Sequence, residues 1–537
     1  MFPILEQVPI PKPTPQLTTA VILSVAIFLI ICVGIGFYML RKAKSWDEYA
    51  IGLRDIGPAV TGLALTATWM SGWAIFGNAG LSYTYGWSGG WLIGIMNGMG
   101  LAMCCVLGYR MRRYAGIGAR TVPEVLKVRF DSRLPQALAG LIMIVLLIAY
   151  SVGQYKAMAA VLTVAGVTGG GFSGFGAYGD ALFVTAVLTW IYLAVGGYAG
   201  TQLALAFQGA VFLVVGWIFG IWSMFWAGGP DKIATAIAAE KFVRPGGAAT
   251  PVSIGGYTAP LAPTYPGYDW IGVTAVLFMF MFMATGFPHN IARFLGHRKF
   301  SKRDFWVMII FVILNCISPM MIGAMGYAAR TVWGAQLMGD WNKPLYGDAA
   351  AAYVSVAMGG AAGAGLFAAA VFAAAVSTLA GMVFIMATNV SRDLIFNLAP
   401  KTSGRAQLWV TRIFLIPWIL LPLYWALTAP PPVLSEFMAG SAVAQGGIFF
   451  FVVAVSMYWK RATKWGVVAA MVYGFILTLL HPAVWMPLWK TAPVPPFNHW
   501  GQWALLLMFG SAAVYFVVSL ITKPLPKEKL DKLFPAK

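Results

Sequence analysis

Residues 366–394 read LFAAAVFAAAVSTLAGMVFIMATNVSRDL, an apolar run longer than the roughly twenty residues a helix needs to cross a bilayer. Its only adjacent hydroxyls are Ser377 and Thr378, and on a helix the carbonyl of Ala374 lies one turn before them on the same face. Neutral oxygens grouped in this way are a candidate cage for a small hard cation, which takes several oxygen ligands. An intact helix keeps its carbonyls in its own ladder, so further oxygens must come from a broken helix nearby. Residues 66–80, TATWMSGWAIFGNAG, supply one: Gly72, Gly77, Asn78 and Gly80 interrupt a hydrophobic segment. They predict unwinding that exposes carbonyls around Ala67 and Met70.

Composition sets the class. A chain of 537 residues that is 60% hydrophobic and 10% charged, with a mean hydropathy of +0.77, is not an ordinary soluble globular protein. The net charge of +19 does not point to nucleic acid, because the basic residues fall in short groups between apolar runs and report membrane orientation instead. Cys32, Cys104, Cys105 and Cys316 sit inside apolar runs without metal-ligand spacing, which argues against disulfides and zinc alike. No His/Cys/Asp cluster, carboxylate pair or phosphate loop suggests an enzyme.

Thirteen apolar segments are expected to span, at about 17–40, 57–83, 88–110, 136–164, 180–198, 201–227, 269–292, 305–329, 352–390, 406–428, 433–458, 465–487 and 499–522. Basic residues crowd every second loop, for example Arg110, Arg112, Arg113 and Arg120, then Arg293, Arg298, Lys299 and Lys302. The exception is the uncharged link at Ala199-Gly200. The positive-inside rule therefore places the N-terminus outside and the C-terminus in the cytoplasm. This is the pattern of an integral multi-pass plasma-membrane protein of bacterial inner-membrane type. The segment 121–134 reads as an amphipathic inside connection, and the tail from Lys523 as a solvated end or a lipid contact. Tyr83, Tyr85 and Trp87 read as interfacial belt residues.

Gly286-Phe287-Pro288 interrupts the seventh segment as the glycines interrupt the second. If spans two to six and seven to eleven are five-helix repeats, their first members run in opposite directions, the inverted-repeat signature of alternating-access carriers. The expected division is 1–56 (outside N-terminus and first flanking helix), 57–228 (first repeat), 229–268 (outside loop), 269–458 (second repeat) and 459–537 (two flanking helices and tail).

The A-T-x-x-S-G-W segment from Ala67, AAxxST followed by RDL in the ninth span, GGY…Q at Gly196 to Gln208, and GFPH at Gly286 to His289 together resemble the sodium/solute symporter family. The resemblance runs from about Ser45 to Trp459 and is nearest to the pantothenate, acetate and monocarboxylate branch. It implies an all-α polytopic protein with a leucine-transporter-like five-plus-five core, flanked by the first, twelfth and thirteenth spans. It also implies Na+ as coupling ion, held by Ala67, Met70, Ala374, Ser377 and Thr378. Two positions depart from better-known members: Trp69 and Leu205 stand where acidic residues are found there, and loss of the second leaves one sodium at most and the identity of the ion open.

Lys156 stands about twenty residues into the fourth span, where a lysine needs a carboxylate, carbonyls or water. No acidic side chain is expected at that depth, so a solute carboxylate is one candidate partner, snorkelling another and substitution for a bound cation a third. Gln154 and Asn78 flank the expected cavity and are candidate solute contacts; Trp69, Trp73, Phe76 and Phe280, with Phe278, are candidate walls. Gln208 and His289 are expected to bond backbone across the helix breaks. The leading reading is sodium-coupled symport of a small organic solute, a monocarboxylate or pantothenate-like acid. The alternatives are a neutral solute (amino acid, sugar or urea-like), a proton-coupled carrier, and a transporter-like sensor. The implied partners are the solute and membrane lipid, with no nucleic acid and no obligate protein partner.

Overall fold

A chain in lipid must satisfy each backbone N–H and C=O within its own segment, which leaves the helix as the spanning unit for runs such as these. The computed structural model describes residues 8–39, 45–52, 54–167, 171–239, 270–334, 336–337, 347–429, 434–481 and 500–534. Among them it is all-helical, with no strand beyond one bridge between Ile56 and His297. The helices that matter for the site are α1 (Pro15–Met39), α2 (Trp46–Ile51), α3 (Pro58–Trp69), α4 (Asn78–Tyr85), α5 (Trp87–Gly116), α6 (Val122–Phe130), α7 (Arg133–Val164), α8 (Gly176–Trp226) and α9 (Pro230–Ala239). The second half supplies α10 (Trp270–Gly286), α11 (Pro288–Ile291), α12 (Lys302–Trp333), α13 (Ala350–Thr388), α14 (Gly404–Thr428), α15 (Leu434–Phe449), α16 (Lys464–Leu479), α17 (Trp500–Ile521) and α18 (Lys527–Leu533).

Eight helices among the described residues are long and apolar enough to cross a membrane, or ten when each of two bent pairs counts as one span. That is fewer than the thirteen expected. One reason is α8, whose 51 residues hold both expected spans five and six; unbroken, it would run roughly 75 Å, more than twice the hydrocarbon thickness. Gly197 divides it, at φ 55° and ψ −153°, so the turn falls before the expected Ala199-Gly200 link. Another is α16, which is 16 residues long; the outer end of its expected span lies outside the described residues.

The two interrupted segments are both broken. Pro58–Trp69 meets Trp73–Thr84 at 59°, and Thr274–Gly286 meets Pro288–Phe294 at 44°. Against them lies α13, apolar on every side and therefore internal; its most apolar window is wholly buried. Alanines along it let α1, α3, α7, α8 and α12 approach closely. The ninth span is not one continuous helix as expected: Gly360 breaks α13 at φ 56°, and its inner end passes into a π-helix, Asn389–Ile395.

At the end of the bundle where the basic loops gather, Thr121 caps α6 by accepting from Glu124 N, and Glu124 in turn pairs with Arg392 at 2.7 Å. The tail is not a solvated end. Helix α18 docks on the inside loops, burying Leu533 and Phe534 beneath Arg110 and Arg129, whose guanidinium carbons lie 5.3 and 5.0 Å from the Phe534 ring. Lys529 pairs with Asp131 and holds that carboxyl below its usual range. Tyr83 is not a belt residue either: its hydroxyl is buried, donating to Gly334 O at 2.7 Å and accepting from Leu337 N at 2.9 Å. The side chains of Tyr85 and Trp87 lie outside the described residues.

Gly197 and Gly360, both at positive φ, separate backbone strain from packing. A Cβ at Gly197 would lie 2.7 Å from the Tyr49 ring and 2.9 Å from its carbonyl, whereas one at Gly360 would meet nothing within 4 Å. Gly360→Ala is expected to cost only the left-handed strain, about 1–2 kcal/mol, and Gly197→Ala that amount plus an overpacking cost of about 1–3 kcal/mol. Thermal midpoints of the purified variants in detergent should therefore fall in the order wild type, Gly360→Ala, Gly197→Ala; equal midpoints for the two variants would mean that α2 yields freely at Tyr49.

Candidate cation and solute site

The cage forms where α13 crosses the end of α3. Met70 closes α3 at φ −79° and ψ 86°, so the ladder stops there, and the chain resumes as a π-turned segment, Trp73–Gly77. Ser377 Oγ lies 2.7 Å from Ala67 O and 2.9 Å from Ala374 O, donating to this pair. Thr378 Oγ1 lies 3.1 Å from Thr68 O and 3.2 Å from Ala374 O. Both hydroxyls are fully buried. Neither bonds Met70; the carbonyl that meets Thr378 belongs to Thr68, which the sequence reading did not single out. A hydroxyl facing a neighbouring broken helix is aimed at whichever carbonyl the turn presents, and spacing alone does not say which.

The donor set suits a monovalent cation. All its oxygens are neutral, and among the described residues no group of three His, Cys, Asp or Glu could hold a metal ion. Around a cation with oxygens at about 2.4 Å, octahedral neighbours stand about 3.4 Å apart, so oxygens now 2.7–3.2 Å apart need to spread by only a few tenths of an ångström. The two hydroxyl protons would turn away and expose lone pairs. Leu205 packs with Ala64 and Ala67 in a small apolar cluster beside the cage, so an aliphatic side chain occupies the place where a carboxylate was absent from the motif.

Outward of the cage the two broken helices face each other through aromatic rings. Trp73 stacks on Phe280 with centroids 5.6 Å apart; Trp69 meets Phe280 at 6.4 Å and Phe287 at 6.0 Å; Phe287 stands edge-on to Tyr150 at 5.2 Å. Phe287 and Tyr150 thus join the aromatic set, although the motif reading names neither. Phe76 is buried but pairs with none of these rings, and Phe278 turns away to Phe282 and Phe509.

The polar groups divide into satisfied and unsatisfied ones. Gln154 Oε1 accepts from Gly72 N at 2.8 Å, so it caps an amide freed by the break, and it is spent on structure. Asn78 is different: both amide atoms are buried without a partner, as is Trp73 Nε1. Buried polar groups are rarely left so unless something else meets them. Gln208 and His289 do not bridge the breaks as expected; Gln208 donates to Cys32 Sγ at 3.3 Å, and neither His289 nitrogen is bonded.

Lys156 does have an acidic partner, contrary to expectation. Its Nζ lies 3.1 Å from Asp348 Oδ2, both side chains being buried. Asp348 lies just before α13, in a connection between apolar runs where the sequence pattern predicts a loop beyond the membrane. Gly80 makes room for the contact: a Cβ there would stand 2.8 Å from Asp348 Oδ1. The pair therefore ties the loop before α13 to α7, beside the outer half of the first broken span.

The pattern described as the sodium:solute symporter family matches residues 49–474. Among characterised relatives, the chain is 26% identical over 473 residues to the sodium/pantothenate symporter of Escherichia coli, covering 85% of this chain and 89% of that one. It is 25% identical over 479 residues to the osmoregulated proline transporter of Bacillus subtilis (86% and 88% covered) and 25% over 529 residues to a sodium/proline symporter of Staphylococcus aureus (93% and 92%). A solved Na+-coupled sialic acid symporter, substrate-bound and outward-open, superposes with a TM-score of 0.69 at 17% identity, over 95% of this chain and 98% of that one. A nucleobase-cation-symport-1 family transporter in a closed conformation gives 0.51 at 13% identity, over 90% and 97%. The fold is the leucine-transporter-like one.

The ion pair yields a contrast between breaking and replacing. Lys156→Met leaves a buried carboxylate and should cost about 3–5 kcal/mol, while Lys156→Met combined with Asp348→Leu should recover most of it. Thermal unfolding in detergent reads both; a double variant no better than the single one would show that the pair is held by more than its own charges.

Proposed function

Because the chain belongs to the sodium:solute symporter family, we propose that it is a secondary active transporter in which sodium, bound by Ser377, Thr378 and the carbonyls of Ala67, Thr68 and Ala374, drives uptake of a small organic acid. The observation that carries this reading is the crossing of α13 with the broken span, where buried neutral oxygens converge within 2.7–3.2 Å. The chain is a multi-pass membrane protein; we place it in the plasma membrane, N-terminus outside, with residues 57–228 and 269–458 as inverted repeats that rock about the site.

Coupling needs no chemistry on the solute. A cation that bridges Ser377 and Thr378 to the Ala67 and Thr68 carbonyls fixes α3 against α13, and the residues immediately after α3, Ser71 to Asn78, carry the solute walls. Each ligand thus orders a segment the other requires, so each raises the affinity of the other by the same factor. Asn78 and Trp73 Nε1 are the groups with hydrogen-bonding capacity to spare, and the rings of Trp69, Trp73, Phe280 and Phe287 form the apolar wall.

An acid is favoured because pantothenate and sialic acid, named for a relative and for the structural neighbour, bear a carboxylate as their only charged group; proline, named for two relatives, is an amino acid and belongs to the second reading. A neutral solute is the second reading, and Lys156 supports it: the ammonium proposed to meet a carboxylate already has Asp348.

Uptake of labelled acetate, pyruvate, pantothenate, proline, glucose and urea into proteoliposomes, with and without an inward sodium gradient, tests both. Sodium-stimulated uptake of acetate, pyruvate or pantothenate is expected, and stimulation of proline, urea or glucose alone would select the second reading. Ser377→Ala and Thr378→Ala should each raise the half-saturating sodium concentration about tenfold or more, as loss of a hydrogen bond to a charged group does. Unchanged sodium activation in the double variant would remove the cage from the mechanism.

A further inference from the structure

Beneath the cation cage lies a charge that the transport reading does not use. Arg293 sits just past the break of the second bent span and is 2% exposed. Its Nε has no partner, and no carboxylate lies within ion-pair distance of its guanidinium among the described residues. A buried, unpaired guanidinium is costly and is normally met by a counter-charge. His289, one turn earlier on the same face, has both ring nitrogens buried and unbonded. The two side chains flank Gly381: a Cβ there would lie 2.5 Å from Arg293 Nη2 and 3.7 Å from His289 Cβ.

Arg293 lines a small, partly open cleft that is also walled by Arg120, Thr121 and Thr388, all on the side that the basic loops mark as cytoplasmic. The acidic groups behind the Thr121 wall are engaged elsewhere. Glu124 pairs with Arg392, and Asp393 accepts from Thr121 Oγ1 and Gln136 Nε2, each at 2.8 Å. Gly381 is one helical turn from Ser377 and Thr378, and its Cβ position is 2.9 Å from Thr68 Cγ2. The unpaired positive charge thus stands directly below the cation cage and repels its occupant.

We propose that this cleft is an anion site, in which Arg293, with His289 beside it, holds a monovalent anion whose charge offsets that repulsion and so raises affinity at the cation cage. A halide and the carboxylate of a departing solute share the required chemistry. The anion site rests on the unpaired guanidinium alone; its coupling to sodium rests on the cage proposed above.

Bromide and acetate are titrated separately into the purified full-length protein in sodium-free choline gluconate at constant ionic strength, with tryptophan fluorescence and thermal midpoint as readouts. Saturable binding is expected, weakened about tenfold or more in Arg293→Gln and largely kept in Arg293→Lys. Binding of bromide as well as acetate marks an inorganic-anion site, and binding of acetate alone marks a release subsite for the solute carboxylate; both support the assignment. Absence of saturable binding of either anion, or binding unchanged in Arg293→Gln, overturns it. Should Arg293→Gln fail to fold, the anomalous signal of bromide in wild-type crystals decides, at the cleft or nowhere near it. Sodium affinity is then measured with bromide in place of gluconate, and a rise of about fivefold or more is expected. Bromide binding with anion-independent sodium affinity overturns the coupling and spares the site. Sodium activation unchanged in the Ser377 and Thr378 double variant, with bromide binding intact, counts against the cation reading alone and spares the anion site.

Discussion

A backbone amide or carbonyl in hydrocarbon must find a partner, and the fold is arranged around a place where the helix ladder stops and side chains repair it. Between Trp69 and Trp73 the ladder of the first broken span stops. The freed groups are met individually: Gly72 N by Gln154, Trp73 N by Ser71 Oγ at 3.1 Å, and the Ala67 and Thr68 carbonyls by Ser377 and Thr378. The partners come from α7 and α13, so the break cannot be moved without moving both. An element that would be a defect in isolation becomes the joint that binds three spans together.

The same joint explains why α13 is so poor in large side chains. Its hydroxyls can reach carbonyls on α3 only if the backbones approach closely, and alanine and glycine allow that. Gly381 shows how little room remains, with Arg293 and Thr68 both within 3 Å of a would-be Cβ. Small residues here serve an electrostatic end: they bring neutral oxygens within reach of one another in a region that excludes water, where each is worth more to a cation than it would be in solvent.

Much of this was legible in the sequence, and what was not shares a physical cause. Ser377, Thr378, Ala374 and Ala67 could be named because helix periodicity fixes which groups share a face, and the breaks at Gly72 and Gly286-Phe287-Pro288 because glycine and proline disrupt the ladder wherever they stand. Asp348 could not, because it lies at the end of a loop, and residue counting assigns a loop to water whether or not it folds back to Gly80. Phe534 escaped notice for the same reason: a charged tail reads as solvated until its one aromatic ring finds an arginine cage. The turn at Gly197 came earlier than expected because hydropathy is blind to φ, and only the approach of Tyr49 shows why glycine is needed there.

The buried charges of the core divide along the membrane normal, and the division has a directional consequence. At one end of the core Lys156 carries its counter-charge with it in Asp348. At the other end, where the basic loops gather, Arg293 has no such partner among the described residues. A cation moving inward from the cage therefore meets an uncompensated positive charge unless an anion is there before it or travels with it. Exit would then be favoured for a cation accompanied by an acid and disfavoured for a cation alone. In such an arrangement the penalty against uncoupled leak is a standing property of the fold, set by a guanidinium that contacts neither the cage nor the aromatic walls.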